Sequence, residues 1–467
     1  MDRTAQAFLT FGNVAQCSGG RVAAGEPGGQ FHDISVDSRK CTGSSLYIPI
    51  YGERVDGHLY IESALRSGAV GALMSRKYWT ENGARLAGEF PGRALVVVDD
   101  PLKALQETAG LFRERHLSDV VRVGVTGSSG KTTMKELLGG ILKRYRPTSM
   151  NPGNLNSDIG LPMAVLSLNP SDAFSVLEMG MNREGEMDIL ADIYRPEVAV
   201  VTNIGRAHIG LLGSVENIAR EKRKIFRYLG SSGAAFIWEG EKMLPFLTEG
   251  LTAPVYRYGE DSTPDFQEAQ DQGLRGWLLN IGGRICRMPL MGRHNLRNAL
   301  GAVSAARYLG ASLENVCEGL EAAAPLFGRG QIQEGAVTLL LDCYNANPDS
   351  YRTGLSLLAG LEWPGRKILV AGDMGELGEE GPEAHREVGR QAAGMSLEGR
   401  FFFGQGMKAA RDEAAAAGAE PVFWHDDFDA LLGAISGFAR RGDLLYIKGS
   451  RMMELERLAE PLGRLDV

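Results

Sequence analysis

The chain predicts an α/β protein of three domains: a small αβ N-terminal domain over residues 1–98, a central P-loop domain with a mostly parallel sheet over 99–329, and a Rossmann-like C-terminal domain over 330–467. Three observations carry that expectation. At 467 residues the chain is too long for one hydrophobic core and suits about three of ordinary size. Short apolar runs alternate with helical patches along its length, as strands and crossover helices do. One junction, GVTGSSGKTT at 124–133, has the order strand, glycine-rich loop, helix.

In the first 98 residues SVDSR, SLYIPI, HLYIESALRSGA, GAVGALMS and RALVVV alternate strand and helix patterns. Asp99-Asp100-Pro101 breaks the rhythm, and the helical stretch LKALQETAGLFRERH leads into the strand VVRVGV (120–125). After the loop, Met134, Leu137, Leu138, Ile141, Leu142 and Tyr145 recur at helical spacing. AFSVLEMG and PEVAVVTNIG read as strands ending in polar or glycine clusters, as parallel strands do at their ligand-facing ends. HNLRNALGAVSAARYLG reads as a helix closed by Gly310. FGRGQ (327–331) is the candidate hinge, across which an open arrangement is the default for a modest, polar domain interface. Beyond it VTLLLDCYNANPDS, RKILVAGDMGELG, GRFFFGQG and DLLYIKGSR supply four apolar strands. They carry no clean Gly-x-Gly-x-x-Gly fingerprint, which argues against a dinucleotide site.

Composition narrows the function classes. Hydrophobic residues at 44% with charged residues at 23% are what a globular protein shows. The 61 glycines have no fixed period and fall between strand-like runs. A formal charge of −8 argues against general binding of nucleic acid or anionic membrane, both of which need basic surface. Cys17, Cys41, Cys286, Cys317 and Cys343 show no zinc spacing and read as reduced thiols. With no signal-peptide core and no membrane-length apolar run, a cytoplasmic protein is expected.

The loop carries the clearest chemistry. The first turn of a helix has unpaired N–H groups and a partial positive charge, so an anion is its natural occupant. Gly127 and Gly130 let the backbone turn close to a phosphate, Lys131 adds a full charge, and the Thr132 hydroxyl suits a magnesium ion. Val125 stands where the usual nucleotide loop has a further glycine, so the pattern is a variant. Glu178 closes its strand and reads either as a metal ligand or as a solvated carboxylate. Asn203 and His208 follow another strand. Lys222, in SVENIAREKRKIF, reads by charge pattern as part of a solvated helix face with Arg220, Arg223 and Lys224. His294 and Asn295 open a helix, where Asn295 suits either a cap or a base edge. Arg329 is either a phosphate clamp or a linker residue. Asp342, Tyr344, Asn345, Asn347 and Pro348 build a strand-to-helix turn.

Taken together, these strings resemble the Mur ligases, the ATP-dependent amide-forming enzymes of bacterial peptidoglycan precursor synthesis. TGSSGKTT is similar to that family's T-G-x-x-G-K-T-[TS] loop, which accounts for the missing first glycine. NLNSDIGLP (154–162), LEMGMN, GRHNLRNAL, DCYNANPDS, GDMGELG (372–378) and KGSR (448–451) most resemble the members that join D-alanyl-D-alanine to a UDP-N-acetylmuramoyl-tripeptide. No Asp-Asn-Pro-Arg signature of the members adding diaminopimelate or lysine is present. The resemblance implies that Gly127, Ser128, Ser129, Gly130, Lys131, Thr132 and Thr133 bind the phosphates of ATP, with Thr132 and Glu178 on Mg2+ and His208 on a second Mg2+. It implies a carbamate on Lys222, in place of the solvated lysine read from charge alone. Asn295 would contact adenine, Arg329 the nucleotide, and Asp342 with Tyr344 would close over it. Ser38 and Arg39 match a uridine-nucleotide segment, Asn154 and Asn156 a central substrate loop, and Lys448 a substrate-binding position. The expected partners are the two substrates alone, with no nucleic acid and no membrane, and the expected state is a monomer.

Overall fold

The structure, a computed structural model, describes residues 3–52 and 55–465. Its strands are β1 (Arg21–Ala24), β2 (Asp33–Ser35), β3 (Ser45–Tyr47), β4 (Gly71–Ser75) and β5 (Ala94–Val98), then β6 (Val121–Thr126), β7 (Thr148–Met150), β8 (Phe174–Glu178), β9 (Val198–Val201), β10 (Ala234–Trp238) and β11 (Val255–Tyr258). A hairpin pair follows as β12 (Phe266–Asp271), β13 (Trp277–Ile281) and β14 (Arg284–Met288). The last group is β15 (Gln331–Gln333), β16 (Thr338–Asp342), β17 (Lys367–Gly372), β18 (Gly399–Phe403), β19 (Val422–His425) and β20 (Leu444–Lys448).

These strands form a five-stranded sheet in the order β1-β5-β4-β3-β2, a six-stranded sheet β11-β10-β9-β6-β8-β7, a three-stranded sheet β12-β13-β14, and a six-stranded sheet β15-β16-β20-β17-β18-β19. The first large sheet is parallel throughout. In the other two, only the edge strands β1 and β15 run antiparallel. Parallel strands are buried on both faces, and the middle sheet divides its side chains accordingly. Val123, Val125, Val176, Val198 and Val200 face the helices Lys131–Tyr145 and Arg293–Tyr308. Leu177, Ala199 and Val201 face the opposite apolar cluster, with Leu190, Tyr194 and Ile225.

Several sequence expectations need correction. SVDSR is not a strand: β2 ends at Ser35 and residues 38–40 form a 3-10 turn capped by Asp37. The C-terminal sheet has six strands rather than four, because the short edges β15 and β19 lack a long apolar run. Of the five cysteines, Cys286 on β14 and Cys317 on the helix Leu313–Glu321 are joined in a disulfide, and Cys17, Cys41 and Cys343 are free. Packing of that helix on β14 brings the two Cα atoms to 5.0 Å, within bonding range, which a separation of 31 residues does not reveal. Among the described residues no helix is long and apolar enough to cross a membrane.

Candidate active site

β6 lies between β8 and β9 at the point where the order of the middle sheet reverses, so the loop at its C-terminal end opens into a crevice between crossovers. That loop is 127–130. Gly130 takes φ +77 at the head of the helix Lys131–Tyr145, with no side chain capping the first turn. Its N–H groups are left for a ligand. The loop is laced to the segment after β9. The Ser128 N–H donates to the Asn203 carbonyl at 2.9 Å and the Ser129 N–H to Asn203 Oδ1 at 3.0 Å. Asn203 Nδ2 donates to Ser129 Oγ at 2.9 Å, and Thr202 Oγ1 donates to the Ser129 carbonyl at 2.6 Å.

Gly127 has φ +151, and a Cβ there would overlap Thr202 Oγ1. Because Thr202 is held by its own hydrogen bond to the loop, it has nowhere to move. Gly127→Ala is therefore expected to weaken ADP binding by roughly tenfold or more, read by titration calorimetry. Unchanged affinity would show that the close approach is incidental.

The lysine amine arches back over the loop: Lys131 Nζ donates to the Gly127 carbonyl at 3.0 Å. Burial pushes its pKa down, Glu178 opposes that shift, and Arg329 adds to it. Thr132 Oγ1 donates to Glu178 Oε2 at 2.7 Å, and Asn156 Nδ2 donates to Glu178 Oε1 at 2.7 Å. Glu178 is 3% exposed, so the solvated reading of this carboxylate is set aside. Its backbone is clamped by Asn151, whose Oδ1 accepts the Glu178 N–H at 3.0 Å and whose Nδ2 donates to the Glu178 carbonyl at 3.2 Å. Among the described residues no three His, Cys, Asp or Glu side chains gather as a ready-made metal site.

Lys222 corrects the charge-pattern reading. Its side chain is fully buried, and Nζ has no hydrogen-bond partner. Burial first, then the neighbouring Lys131 charge, hold its pKa well below the usual lysine value, against the pull of Glu178, Glu221 and Glu186. Lys224 faces the other way, with Nζ 2.6 Å from Glu221 and 2.7 Å from Asp188. Two residues of helix turn separate a buried, unpartnered amine from a partly buried, ion-paired one.

The remaining candidates lie along a seam between the middle sheet and the C-terminal sheet. The Arg206 N–H donates to Asp349 Oδ2 at 2.7 Å, and His208 Nδ1 stands 2.6 Å from Glu376 Oε2. His208 is thus engaged across the seam rather than with the Thr132–Glu178 pair, and its hydrogen bond lowers the Glu376 pKa. The seam is closed here, where an open default was expected. Within the FGRGQ segment the Gly330 N–H donates to the Leu341 carbonyl at 2.9 Å and Gln331 already belongs to β15, so these two residues are part of the C-terminal sheet. The Arg329 guanidinium lies 4.3 Å over the Tyr344 ring. Asp342 accepts from Lys448 Nζ at 2.7 Å and from the Tyr446 hydroxyl at 2.8 Å, so the two candidates at the ends of β16 and β20 are partners. Asn295 is buried and donates from Nδ2 to the Met291 carbonyl at 2.9 Å, tying down the start of its helix. Next to it His294 is half-buried with its Nδ1 enclosed and unpartnered, and desolvation pushes its pKa down to about 4.

Other candidates stand apart. Arg39 is exposed and forks onto Asp37 with two contacts of 2.9 Å, while Ser38 is buried beside it. Asn154 is exposed, and its carbonyl accepts the Asn156 N–H at 2.7 Å. Residues that sequence reasoning passed over include Asn151, Glu376 and Asn298. A Cβ at Gly130 would sit 2.8 Å from Asn298 Oδ1. The spacing of Asn295 and Asn298, one helix turn apart, is the signal that could have found it.

A glycine-rich loop closing a central parallel strand, with its lysine folded over it and a buried carboxylate bonded to the next hydroxyl, defines a P-loop enzyme that handles a nucleoside triphosphate. Three family descriptions match the chain: "Mur ligase middle domain" at 125–306, "Mur ligase, glutamate ligase domain" at 328–451, and "Mur ligase family, catalytic domain" at 30–113. The chain belongs to the Mur ligase family. It is similar to the UDP-N-acetylmuramoyl-tripeptide–D-alanyl-D-alanine ligase of Treponema pallidum, at 38% identity over 98% of this chain and 99% of that one. The Bacillus subtilis protein of the same name is 33% identical over 92% and 93%. Among solved structures, MurF from Acinetobacter baumannii superposes with a TM-score of 0.84 at 30% identity, over 97% of this chain and 98% of that one. MurF ligase from Thermotoga maritima in complex with ADP gives 0.76 at 26% identity, over 92% and 96%.

Proposed function

We propose that this chain joins D-alanyl-D-alanine to UDP-N-acetylmuramoyl-tripeptide, converting ATP to ADP and phosphate through an acyl phosphate, in peptidoglycan precursor synthesis. The observation that carries the reading is the loop with Lys131, Thr132 and Glu178 beside the buried Lys222 amine, in a chain similar over 98% of its length to a ligase of that name.

A carboxylate does not acylate an amine at neutral pH, because oxide is too poor a leaving group. Transfer of the γ-phosphoryl group of ATP onto the tripeptide carboxylate replaces it with phosphate, and that step needs positioning and charge neutralisation more than covalent help. The N–H groups of Gly127, Gly130, Lys131 and Thr132 and the Lys131 amine suit the phosphates, with Thr133 beside them, while Ser128 and Ser129 hold the cradle's shape through their bonds to Asn203. A hydroxyl and a carboxylate are hard oxygen donors, and Mg2+ in such sites needs only one or two carboxylates beside substrate phosphates, so Thr132 and Glu178 fit it. When bound, the ion neutralises phosphoryl charge.

An uncharged Lys222 amine is the form that adds to CO2 with loss of one proton, and the resulting carbamate would turn a buried neutral amine into an anion near Glu178 and Lys131. His208, with Nδ1 held by Glu376, would offer Nε2 to a second metal position. Asn295, Arg329, Asp342 and Tyr344 take the nucleoside side, and Ser38, Arg39, Asn154, Asn156 and Lys448 the substrates. In this division residues 1–98 hold the uridine nucleotide, 99–329 ATP, and 330–467 the incoming dipeptide. The dipeptide amine then attacks the acyl phosphate. Its N–C bond forms, the C–O bond to phosphate breaks, and the amine gives up a proton. The closed seam through Asp349 and Glu376 keeps water from the acyl phosphate. A monomer is the expected state, and nucleotide-linked substrates with ATP support a cytoplasmic place of work.

Phosphate release from ATP tests the reading. Release should require both a UDP-linked tripeptide, ending in diaminopimelate or lysine, and D-alanyl-D-alanine. Equal turnover with single free amino acids would assign another branch of the family, and release with ATP alone would indicate a hydrolytic switch.

A further inference from the structure

We propose that Ser450 and Arg451 bind the carboxylate of the incoming dipeptide and so make a free C-terminus a requirement for the acceptor; this rests on the ligase reading above. Between the loop after β9 and the C-terminal ends of β17 and β20 lies a cavity of about 220 Å3, smaller than the roughly 300–1,000 Å3 of pockets for drug-sized ligands. Its walls include Ala207 and His208 from the middle of the chain, and Ala346, Glu376, Ser450 and Arg451 from the C-terminal part. Closure of the seam therefore builds the cavity, and neither part holds it alone.

Ser450 is 5% exposed and its Oγ has no hydrogen-bond partner. A buried hydroxyl left unpaired costs free energy, which a ligand oxygen accepting from it recovers. Its backbone is fixed, the N–H donating to the Asp373 carbonyl at 3.0 Å, so the hydroxyl is presented from a rigid strand end. Arg451 is the lining residue with a permanent positive charge. Its guanidinium is paired through Nη1 with Glu456 and lies 5.8 Å from the Phe327 ring centroid. One carboxylate does not exhaust its five N–H donors, so the fork can take a second. A serine hydroxyl and an arginine fork lining one cavity are donors that a carboxylate recognises. The small side chains of Ala207 and Ala346 leave room for methyl groups. His208, in the segment whose Asn203 laces the P-loop, marks the end of the cavity nearer the reacting phosphate. A dipeptide anchored by its carboxylate at Arg451 thus points its amine toward the acyl phosphate.

The test compares D-alanyl-D-alanine with D-alanyl-D-alaninamide, which lacks the carboxylate charge, in the full-length enzyme. The unmodified enzyme should show a KM roughly 10- to 100-fold higher for the amide. Arg451→Gln should raise KM for the dipeptide by a similar factor, bring the two acceptors together, and leave UDP-tripeptide affinity in place. Arg451→Lys should recover part of the preference, and Ser450→Ala should give a smaller loss of the same kind. Retained ADP binding shows that each variant is folded. The proposal is overturned if the unmodified enzyme accepts the amide equally well, or if Arg451→Gln keeps its preference or weakens both acceptors alike. No turnover with either acceptor in the unmodified enzyme would instead fail the ligase reading, and this assignment with it.

Discussion

Lys131→Ala lowers phosphate release and ligation by about 100- to 1,000-fold, the usual cost of removing one donor aimed at transition-state charge. The amine is the one full positive charge on the loop itself, and its position over the Gly127 carbonyl places it where the terminal phosphates of a nucleotide would lie. Folding should survive the change. The loop is held by Asn203, Thr202 and Ser128 through bonds that do not involve the lysine side chain. Arginine is not expected to restore the rate, because a planar fork does not replace a compact ammonium on a tight turn. Steady-state kinetics with a thermal melt checks both halves. A variant retaining more than a tenth of the rate would remove Lys131 from the mechanism.

Lys222→Ala is expected to lose most of its activity and to regain part of it with added formate or acetate, which can supply the anion that a carbamate would carry. Lys224→Ala should stay within about fivefold of the unmodified enzyme, since its amine is engaged by Glu221 and Asp188 rather than offered to the nucleotide loop. Normal turnover in Lys222→Ala with a dead Lys224→Ala would reverse the assignment. The same lysine makes a stability prediction. An unpartnered buried amine is unfavourable, so Lys222→Met should stabilise the ligand-free protein by about 1–3 kcal/mol while remaining inactive. The sign with pH follows from linkage. The folded-state pKa lies well below the unfolded value of ~10.4, so between the two the unfolded chain binds a proton that the folded chain does not. Unmodified protein should therefore lose stability as pH falls from 10 toward 7, and the advantage of Lys222→Met should grow. A Lys222→Met melt lower than that of the unmodified protein, measured without CO2 or nucleotide, would mean that the amine has a partner after all.

The seam shows why some roles resist reading from sequence. Asp342 and Lys448 lie 106 residues apart, and each looked like an independent ligand-binding position until adjacent strand ends made them a pair. His208 and Glu376 are 168 residues apart and meet only because two sheets face each other. Cys286 and Cys317 show no spacing signal, yet the packing of one helix on one strand joins them. Edge strands β15 and β19 were missed for a simpler reason: a short strand at a sheet edge needs little apolar sequence.

What the sequence determined by itself is local and periodic. The strand, glycine turn and helix at 121–145 came from spacing alone, because φ above zero, a close approach to phosphate and a helical apolar stripe each demand particular residues within a few positions. The alternation that predicts three α/β layers is of the same kind. Tertiary structure alone decided the state of Lys222. Charge pattern reads only the company a residue keeps along its own helix, and that company, Arg220, Arg223 and Lys224, is exposed or half-exposed. Burial is set by what packs around it, here the helices Glu186–Tyr194, Ile209–Leu212 and Leu244–Thr248. The desolvation that lowers the pKa of this amine is a property of the assembled sheet and its neighbours, which no window of sequence contains.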